Sequence, residues 1–166
     1  MPAPDYRPRQ YTANFVVSPV ATPTDFIWML AGANIVKLRR IRVWAGATAA
    51  AGYTFQVVRR STLNTGGTVV PNASIPVDSN MSGGVAIFTY SVNPTVLGTL
   101  VGVLANVPAI IPAVAGGIQL VVDIDARERP LIIHPGGEAI SIFGNSVSFG
   151  AGLSMVAQYE WDEGES

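Results

Sequence analysis

Cysteine is absent from this 166-residue chain, which also has only one histidine and one lysine. The lack of cysteine excludes a disulfide scaffold, a thiolate zinc site, an iron–sulfur site and a cysteine nucleophile. Charged residues make up 13% of the chain, about half of the roughly 25% that is usual in soluble domains. A helical bundle needs many charged side chains on its outer faces, so this composition argues against one. The 49% of hydrophobic residues argue equally against intrinsic disorder.

The few charges are unevenly distributed. The formal net charge is −1, which gives no electrostatic footprint for wrapping nucleic acid. Between Arg60 and Asp123 the only charged residue is Asp78, so more than a third of the chain is nearly neutral. Apolar surface without charge usually contacts another protein. The middle of the chain is therefore predicted to be covered by a partner.

Two segments are candidates for export or membrane segments, and neither has the required pattern. Residues 1–10 are Pro-rich and polar, where a secretory signal would have a basic start and an apolar run. Residues 95–114 are apolar over about the length of a membrane span, but Pro108, Pro112 and several Gly residues would break a helix there. We expect a buried strand followed by a Pro-bounded loop, and no membrane partner.

Proline and glycine are plentiful, with 12 and 17 residues, and they divide the chain. Prolines at positions 2, 4 and 8 predict an extended N-terminal arm over residues 1–10. A single domain is predicted over residues 11–162, followed by an acidic tail at 163–166.

The domain has the alternating pattern of β-strands separated by Gly-rich turns. In the last predicted strand, Met155, Ala157, Tyr159 and Trp161 share one apolar face. Short strands at this spacing are typical of a sandwich or barrel. The predicted fold class is all-β, an antiparallel β-sandwich of the jelly-roll type. The predicted strands span residues 11–18, 25–30, 35–44, 54–60, 85–90, 96–104, 117–125, 131–134, 138–143 and 153–161.

Candidates for catalysis and metal binding are weak. His134 is the only histidine and directly precedes a Pro-Gly-Gly turn, while Gly144–Ser148 lacks the closing Gly of a nucleophile elbow. Asp123, Asp125 and Glu128 are the best metal candidates, but a hard cation needs six to eight oxygen ligands. The interleaved arginines favour local ion pairing instead. We therefore predict no enzyme and no cofactor.

Six of the ten basic residues lie on two strands that are neighbours in the sequence. If those strands pair, they form one basic patch, which either contacts an acidic surface of a neighbouring subunit or stays solvated. Nucleic acid is a less favoured partner for this patch, because the strands have few aromatic residues. The acidic run Glu160–Glu165 could pair with Arg7 and Arg9 of another copy, or remain a solvated tail. The candidate partner-binding residues are Tyr6, Arg7, Arg9, Tyr11, Lys37, Arg39, Arg40, Arg42, Arg59 and Arg60.

Several runs together resemble small β-sandwich proteins of tailed bacteriophages, namely the jelly-roll head proteins called cement or decoration proteins. The runs that carry the resemblance are Lys37–Trp44, Val57–Thr68, Pro76–Asn80, Tyr90–Gly98, and Pro130–Ile140 leading to Gln158–Trp161. Together they cover about residues 30–162.

The resemblance implies a structural virion protein on the outer surface of the capsid, assembled in the host cytoplasm. Its partners would be the major capsid protein, whose subunits it clamps together against internal DNA pressure, and other copies of itself as a dimer or trimer. The family supplies no catalytic residue. The arm and the apolar segment Ala105–Ala115 depart from the family pattern. They leave open an alternative, a host-binding module of a head fibre or tail, although its candidate loop Asn64–Asn72 has no aromatic residue.

Overall fold

The computed structural model describes residues 9–17, 24–77, 85–111, 113, 118–145 and 153–164. This part of the chain forms strands and no helix, and none of it is a helix long and apolar enough to span a membrane. The strands are β1 (Arg9–Val17), β2 (Thr24–Leu30), β3 (Ile35–Gly46), β4 (Ala51–Arg60), β5 (Thr68–Asn72), β6 (Ile75–Pro76), β7 (Ala86–Val92), β8 (Leu100–Ile111), β9 (Gln119–Asp125), β10 (Leu131–Ile133), β11 (Ala139–Gly144) and β12 (Ser154–Gly164).

The strands form two antiparallel sheets. Sheet 1 has the order β10-β3-β12-β1-β6, with β9 also paired to β3, and sheet 2 has the order β5-β7-β2-β11-β4-β8. Strand β9 pairs with residues 40–45 of β3 and β10 with residues 36–38, so together they form one interrupted edge of sheet 1. The predicted fold class, an all-β antiparallel sandwich, is confirmed.

The main core lies between the two sheets, because alternate residues of each strand point inward. In β12, Met155, Ala157, Tyr159 and Trp161 are buried, as their shared face predicts. Trp161 stacks on Tyr11 of the paired strand β1, with ring centroids 5.5 Å apart. Such aromatic pairs add about 0.5–1.5 kcal/mol beyond their buried area.

The strand boundaries differ from the predicted ones at several places. Arg9 and Gln10, assigned to the arm from the sequence, belong to β1, and Glu163 and Gly164 of the acidic tail belong to β12. Residues 1–8 and 165–166 lie outside the described residues. The short strands β5 and β6 were not predicted.

The largest correction concerns the apolar segment 95–114. A buried strand at 96–104 with a following loop was expected, but β8 spans Leu100–Ile111 and is the outermost strand of sheet 2, largely exposed. Proline is found in sheets essentially at edges, so Pro108 fits this position. The apolar sequence of β8 therefore faces outward.

The outer face of sheet 2 holds a second, smaller cluster beneath two loops. Trp28, Tyr90 and Ala139 are buried there. The loops, residues 61–67 and 93–99, are joined by backbone hydrogen bonds such as Ser61 N–H to the Thr99 carbonyl at 3.0 Å. The two loops cover this smaller cluster on the outer face of sheet 2.

Candidate interaction surface

The six basic residues of β3 and β4 do not form the single patch that pairing of those strands would create. Strand β3 pairs with β9, β10 and β12 in sheet 1, whereas β4 pairs with β8 and β11 in sheet 2. The pairing on which one basic patch depended is therefore absent, because β3 and β4 belong to different sheets.

On β3 the arginines are engaged with neighbours in sheet 1. Arg39 forms an ion pair with Asp162, and the guanidinium of Arg40 donates two hydrogen bonds to Asp123, at 2.9 and 3.1 Å. These carboxylates raise the pKa of both guanidinium groups. Arg42 donates to the side-chain carbonyl of Gln158 at 3.1 Å. These internal contacts leave the outer face of sheet 1 polar and balanced in charge.

The two arginines of β4 lie in different surroundings. Arg59 forms a partly exposed ion pair with Glu138 at 3.2 Å. Arg60 is buried and bonds both carboxylate oxygens of Asp25, at 2.7 and 2.8 Å. It also donates to the Gly98 carbonyl at 2.7 Å, while the Asn64 amide donates to Asp25 at 2.8 Å. This network holds the two loops against sheet 2, and Arg60 is not accessible to a partner.

The remaining predicted partner-binding residues are dispersed. Tyr6 and Arg7 lie outside the described residues. Arg9 is paired through its backbone with Glu163 at the start of β1. Tyr11 is 1% exposed and belongs to the main core. Lys37 is exposed on β3, and among the predicted residues whose side chains the structure describes it is the one in the exposed class.

The candidate metal and catalytic residues are also separated. Asp125 forms an ion pair with Arg127, as the interpretation of local ion pairing predicts, whereas Asp123 is bound to Arg40 of the paired strand β3. Within the described ranges, no group of three or more His, Asp or Glu residues could hold a metal ion. His134 is exposed in its turn.

A cavity of about 420 Å³ opens on the outer face of sheet 1. Gln10, Thr12, Arg39, Glu160 and Asp162 are among the residues that line it. Two of these lining residues, Arg39 and Asp162, form an ion pair with each other.

Exposed apolar side chains are the feature that distinguishes the surface. Among the side chains that the structure describes, fifteen large apolar ones are exposed, and fourteen of them lie between Leu63 and Leu120. This is the segment that the sequence identified as almost free of charge. Exposed apolar clusters of this kind mark contact sites.

Seven of these side chains lie along one edge of the sandwich, which we call the β8 wall. Strand β8 lies against β9 there, so the wall joins the edges of both sheets. Ile110 is 79% exposed and Val101 is 60% exposed. The members of the β8 wall are Leu100, Val101, Val103, Leu104, Ile110, Ile118 and Leu120.

A smaller apolar surface, the β5 wall, lies on the opposite edge. It consists of the exposed side chains of Val69 and Val70 in β5, Ile75 in β6 and Val77 just after β6. Strand β5 is the other outer strand of sheet 2, and β6 is the other outer strand of sheet 1. Only two residues connect β5 to β6, so the two strands share this side of the molecule.

The sequence contained one signal for the β8 wall that its interpretation missed. An apolar strand with proline inside it fits an edge better than a central position, and Pro108 with the missing charges identified an exposed edge. No protein-family model, curated protein or solved structure matches the chain.

Proposed function

We propose that this chain is a structural virion protein, a cement or decoration protein on the outer surface of a bacteriophage head, where it stabilises contacts between major capsid subunits. The observation that carries the proposal is the pair of charge-free apolar walls on opposite edges of the sandwich. A protein that clamps neighbours together needs at least two contact surfaces. An uncharged apolar surface of this extent is otherwise an aggregation liability.

The order of the strands supports a jelly roll, the double-sheet fold found in viral capsid proteins. Without β5, β6 and β7, and with β9 and β10 counted as one strand, the sheets read β10-β3-β12-β1 and β2-β11-β4-β8. Successive strands then alternate between the sheets except at the β4 to β8 step. The hairpin-like insertion β5 to β7 widens both sheets and supplies the β5 wall.

The outer face of sheet 1 supports an external position on a particle. Its arginines are neutralised by carboxylates of the same sheet, so this face needs no partner and suits contact with water. The polar face and the apolar edges together give the molecule distinct solvent-facing and neighbour-facing sides.

The first test is the copy number in purified virions, measured by quantitative mass spectrometry against the major capsid protein. A cement protein should be present at a copy number comparable to that of the capsid subunits. A few copies per particle would overturn the proposal and favour the head-fibre or tail-associated host-binding module.

The second test is rebinding of the recombinant protein to heads that lack it, measured by co-sedimentation. Val70→Lys, in the β5 wall, should reduce the bound fraction at least ~10-fold because it places a charge in an apolar contact. Val16→Lys is the control, since Val16 is exposed on β1 four residues beyond Thr12, the last β1 residue that pairs with β6. Equal binding of the two variants would exclude the β5 wall as the capsid contact.

A further inference from the structure

The open edge of β8 is blocked against strand addition by its own backbone. The Thr54 carbonyl accepts a hydrogen bond from Asn145 N–H at 2.9 Å, so the peptide groups of Thr54 face β11. In the β4–β8 ladder, Thr54 lies opposite Pro108. Because the peptide groups of Thr54 face β11, those two residues exchange no backbone hydrogen bond, and the backbone groups of Pro108 face away from β4, toward the open edge. Proline has no N–H, so the edge lacks a donor at this position.

Two further features disrupt the same edge. The Ile110 carbonyl accepts a hydrogen bond from the side-chain amide of Gln119 at 2.6 Å, which occupies an acceptor near the end of the strand. The β4–β8 register skips Leu104 and Val101, and such bulges interrupt the ladder and increase the twist of the strand. Natural proteins use proline and bulges to prevent edge-to-edge pairing.

The backbone of this edge is blocked against strand addition, but its side chains include no charge that would keep another apolar surface away. Edge strands are commonly guarded by lysine or other charges, yet β8 contains no charged residue. A chain that blocks main-chain pairing but leaves apolar side chains exposed favours a partner that binds through side-chain packing.

We propose that the β8 wall is a homodimer interface, on which a second copy of this chain packs around a two-fold axis by side-chain contact. A two-fold contact places a surface against itself, and an uncharged apolar wall is complementary to its own copy, with no charge that would require an opposite charge.

The size of the wall supports this occupant. At ~3.4 Å per residue, the twelve residues of β8 extend about 40 Å, and the edges of two sheets ~10 Å apart give a wall about 20 Å wide with side chains. The resulting area of about 800 Å², which takes in the ion-paired Asp123 and Asp125 of β9 beside the apolar side chains, is the usual contribution of each partner to a stable interface.

The β5 wall is much smaller, because β5 has five residues. It fits a weak contact that many copies on a shell would strengthen through multivalency. Assigning the β5 wall to the shell rests on the proposed function, whereas the dimer does not.

The test is the solution mass of the full chain, measured by sedimentation equilibrium. The wild-type chain should have twice its mass of 17.4 kDa. Ile110→Lys should raise the dimer dissociation constant at least ~10-fold, while Val70→Lys and Val16→Lys should leave it unchanged. A wild-type monomer, a trimer, or an Ile110→Lys variant with unchanged association would each overturn the proposal.

A second measurement uses the absence of cysteine. Asn106→Cys places a single thiol near the middle of β8 at an exposed position, close to the expected axis, and should give a disulfide-linked dimer on mild oxidation. Val16→Cys should not, and equal cross-linking of the two variants would contradict the two-fold contact at β8.

The dimer and the proposed function fail separately. A monomer that still co-sediments with heads would overturn the dimer and leave the proposed function standing. A dimer that does not co-sediment with heads would overturn the proposed function and leave the dimer standing.

Discussion

Arg60 and Arg59 are adjacent in the sequence, but their side chains lie on opposite faces of β4. The side chain of Arg60 is 6% exposed and that of Asp25 is fully buried, whereas both members of the Arg59–Glu138 pair are partly exposed. A buried ion pair is sensitive to loss of one partner, because the other charge is then left in a dry site. When one member of an exposed ion pair is removed, water solvates the charge that remains.

We expect Arg60→Met to lower the free energy of unfolding by about 3–5 kcal/mol, because the buried carboxylate of Asp25 would lose both hydrogen bonds from Arg60 and keep the one from Asn64. Arg59→Met should cost about 0–1 kcal/mol. Urea denaturation of the two variants measures both values. The double variant Asp25→Asn with Arg60→Met should recover part of the loss, and equal losses for the two single variants would contradict the role of the buried network.

Asp125 should show the acid titration of an exposed ion pair. Hydrogen bonds from Arg127 lower the pKa of this carboxyl from 3.8 to about 2. Because the folded pKa is the lower one, the stability it contributes is present above about pH 4 and is lost as the pH falls toward 2. We expect Arg127→Gln to return the titration midpoint, followed by NMR of the carboxyl carbon, to near the ordinary value, and high salt to have a similar but smaller effect. An unchanged midpoint in Arg127→Gln would exclude this pair as the cause.

The two loops on sheet 2 depend on a close backbone approach at Gly98. A Cβ at this position would lie 1.9 Å from the Thr62 carbonyl oxygen. The Gly98 N–H also donates to Asn64 at 2.7 Å, so displacement of the loop would disturb the buried network as well.

We therefore expect Gly98→Ala to destabilise the fold by about 1–3 kcal/mol. Gly102→Ala is the matched control in β8, because nothing lies within 4 Å of the Cβ it would add, and it should be neutral or slightly stabilising. Thermal unfolding of both variants measures the difference. An unchanged thermal stability of Gly98→Ala would mean that the loops can move apart at little cost in free energy.

Pro108 should protect the β8 edge from polymerisation. Pro108→Val restores an outward N–H on an apolar strand, and exposed apolar edges aggregate. We expect this variant to form thioflavin-positive aggregates at concentrations where the wild-type chain stays soluble. Asn106→Val is the control, because it adds a similar apolar side chain at an outward position without adding a donor. Aggregation of both variants at the same rate would show that hydrophobicity alone is responsible.

At the scale of elements, the sequence predicts local patterns better than the position of a strand in its sheet. The alternation in β12 predicted its buried face because one face contacts the core and the other water. Strict alternation along β2 would place Phe26 on the same face as Trp28, but the register of β11 with β2 skips Phe26, which joins the main core instead. The polarity of a strand depends on its neighbours, so an apolar sequence such as β8 is compatible with either a core or a contact surface.

At the scale of the whole molecule, the charges lie on one part of the surface and the exposed apolar groups on another. The outer face of sheet 1 carries the ion pairs of β3 and β9, while both walls come from the segment between residues 63 and 120. The distribution of charge along the sequence thus predicts which segment has its apolar side chains exposed in the single chain. The division of these side chains into two walls depends on the topology that puts β8 and β5 at opposite edges.

Contacts made by these walls should respond to solvent as apolar contacts do. Electrostatic association weakens as salt screens the charges, but walls without charge have nothing to screen. We expect the dissociation constant of the self-associated chain to change less than ~3-fold between low and physiological sodium chloride and to fall in sodium sulfate, which strengthens apolar burial. Calorimetric dilution should also give a negative heat-capacity change for association. A strong loss of association with sodium chloride would instead place the contact on the ion-paired face of sheet 1, where Arg40 and Asp123 would have to exchange their present partners for those of a neighbour.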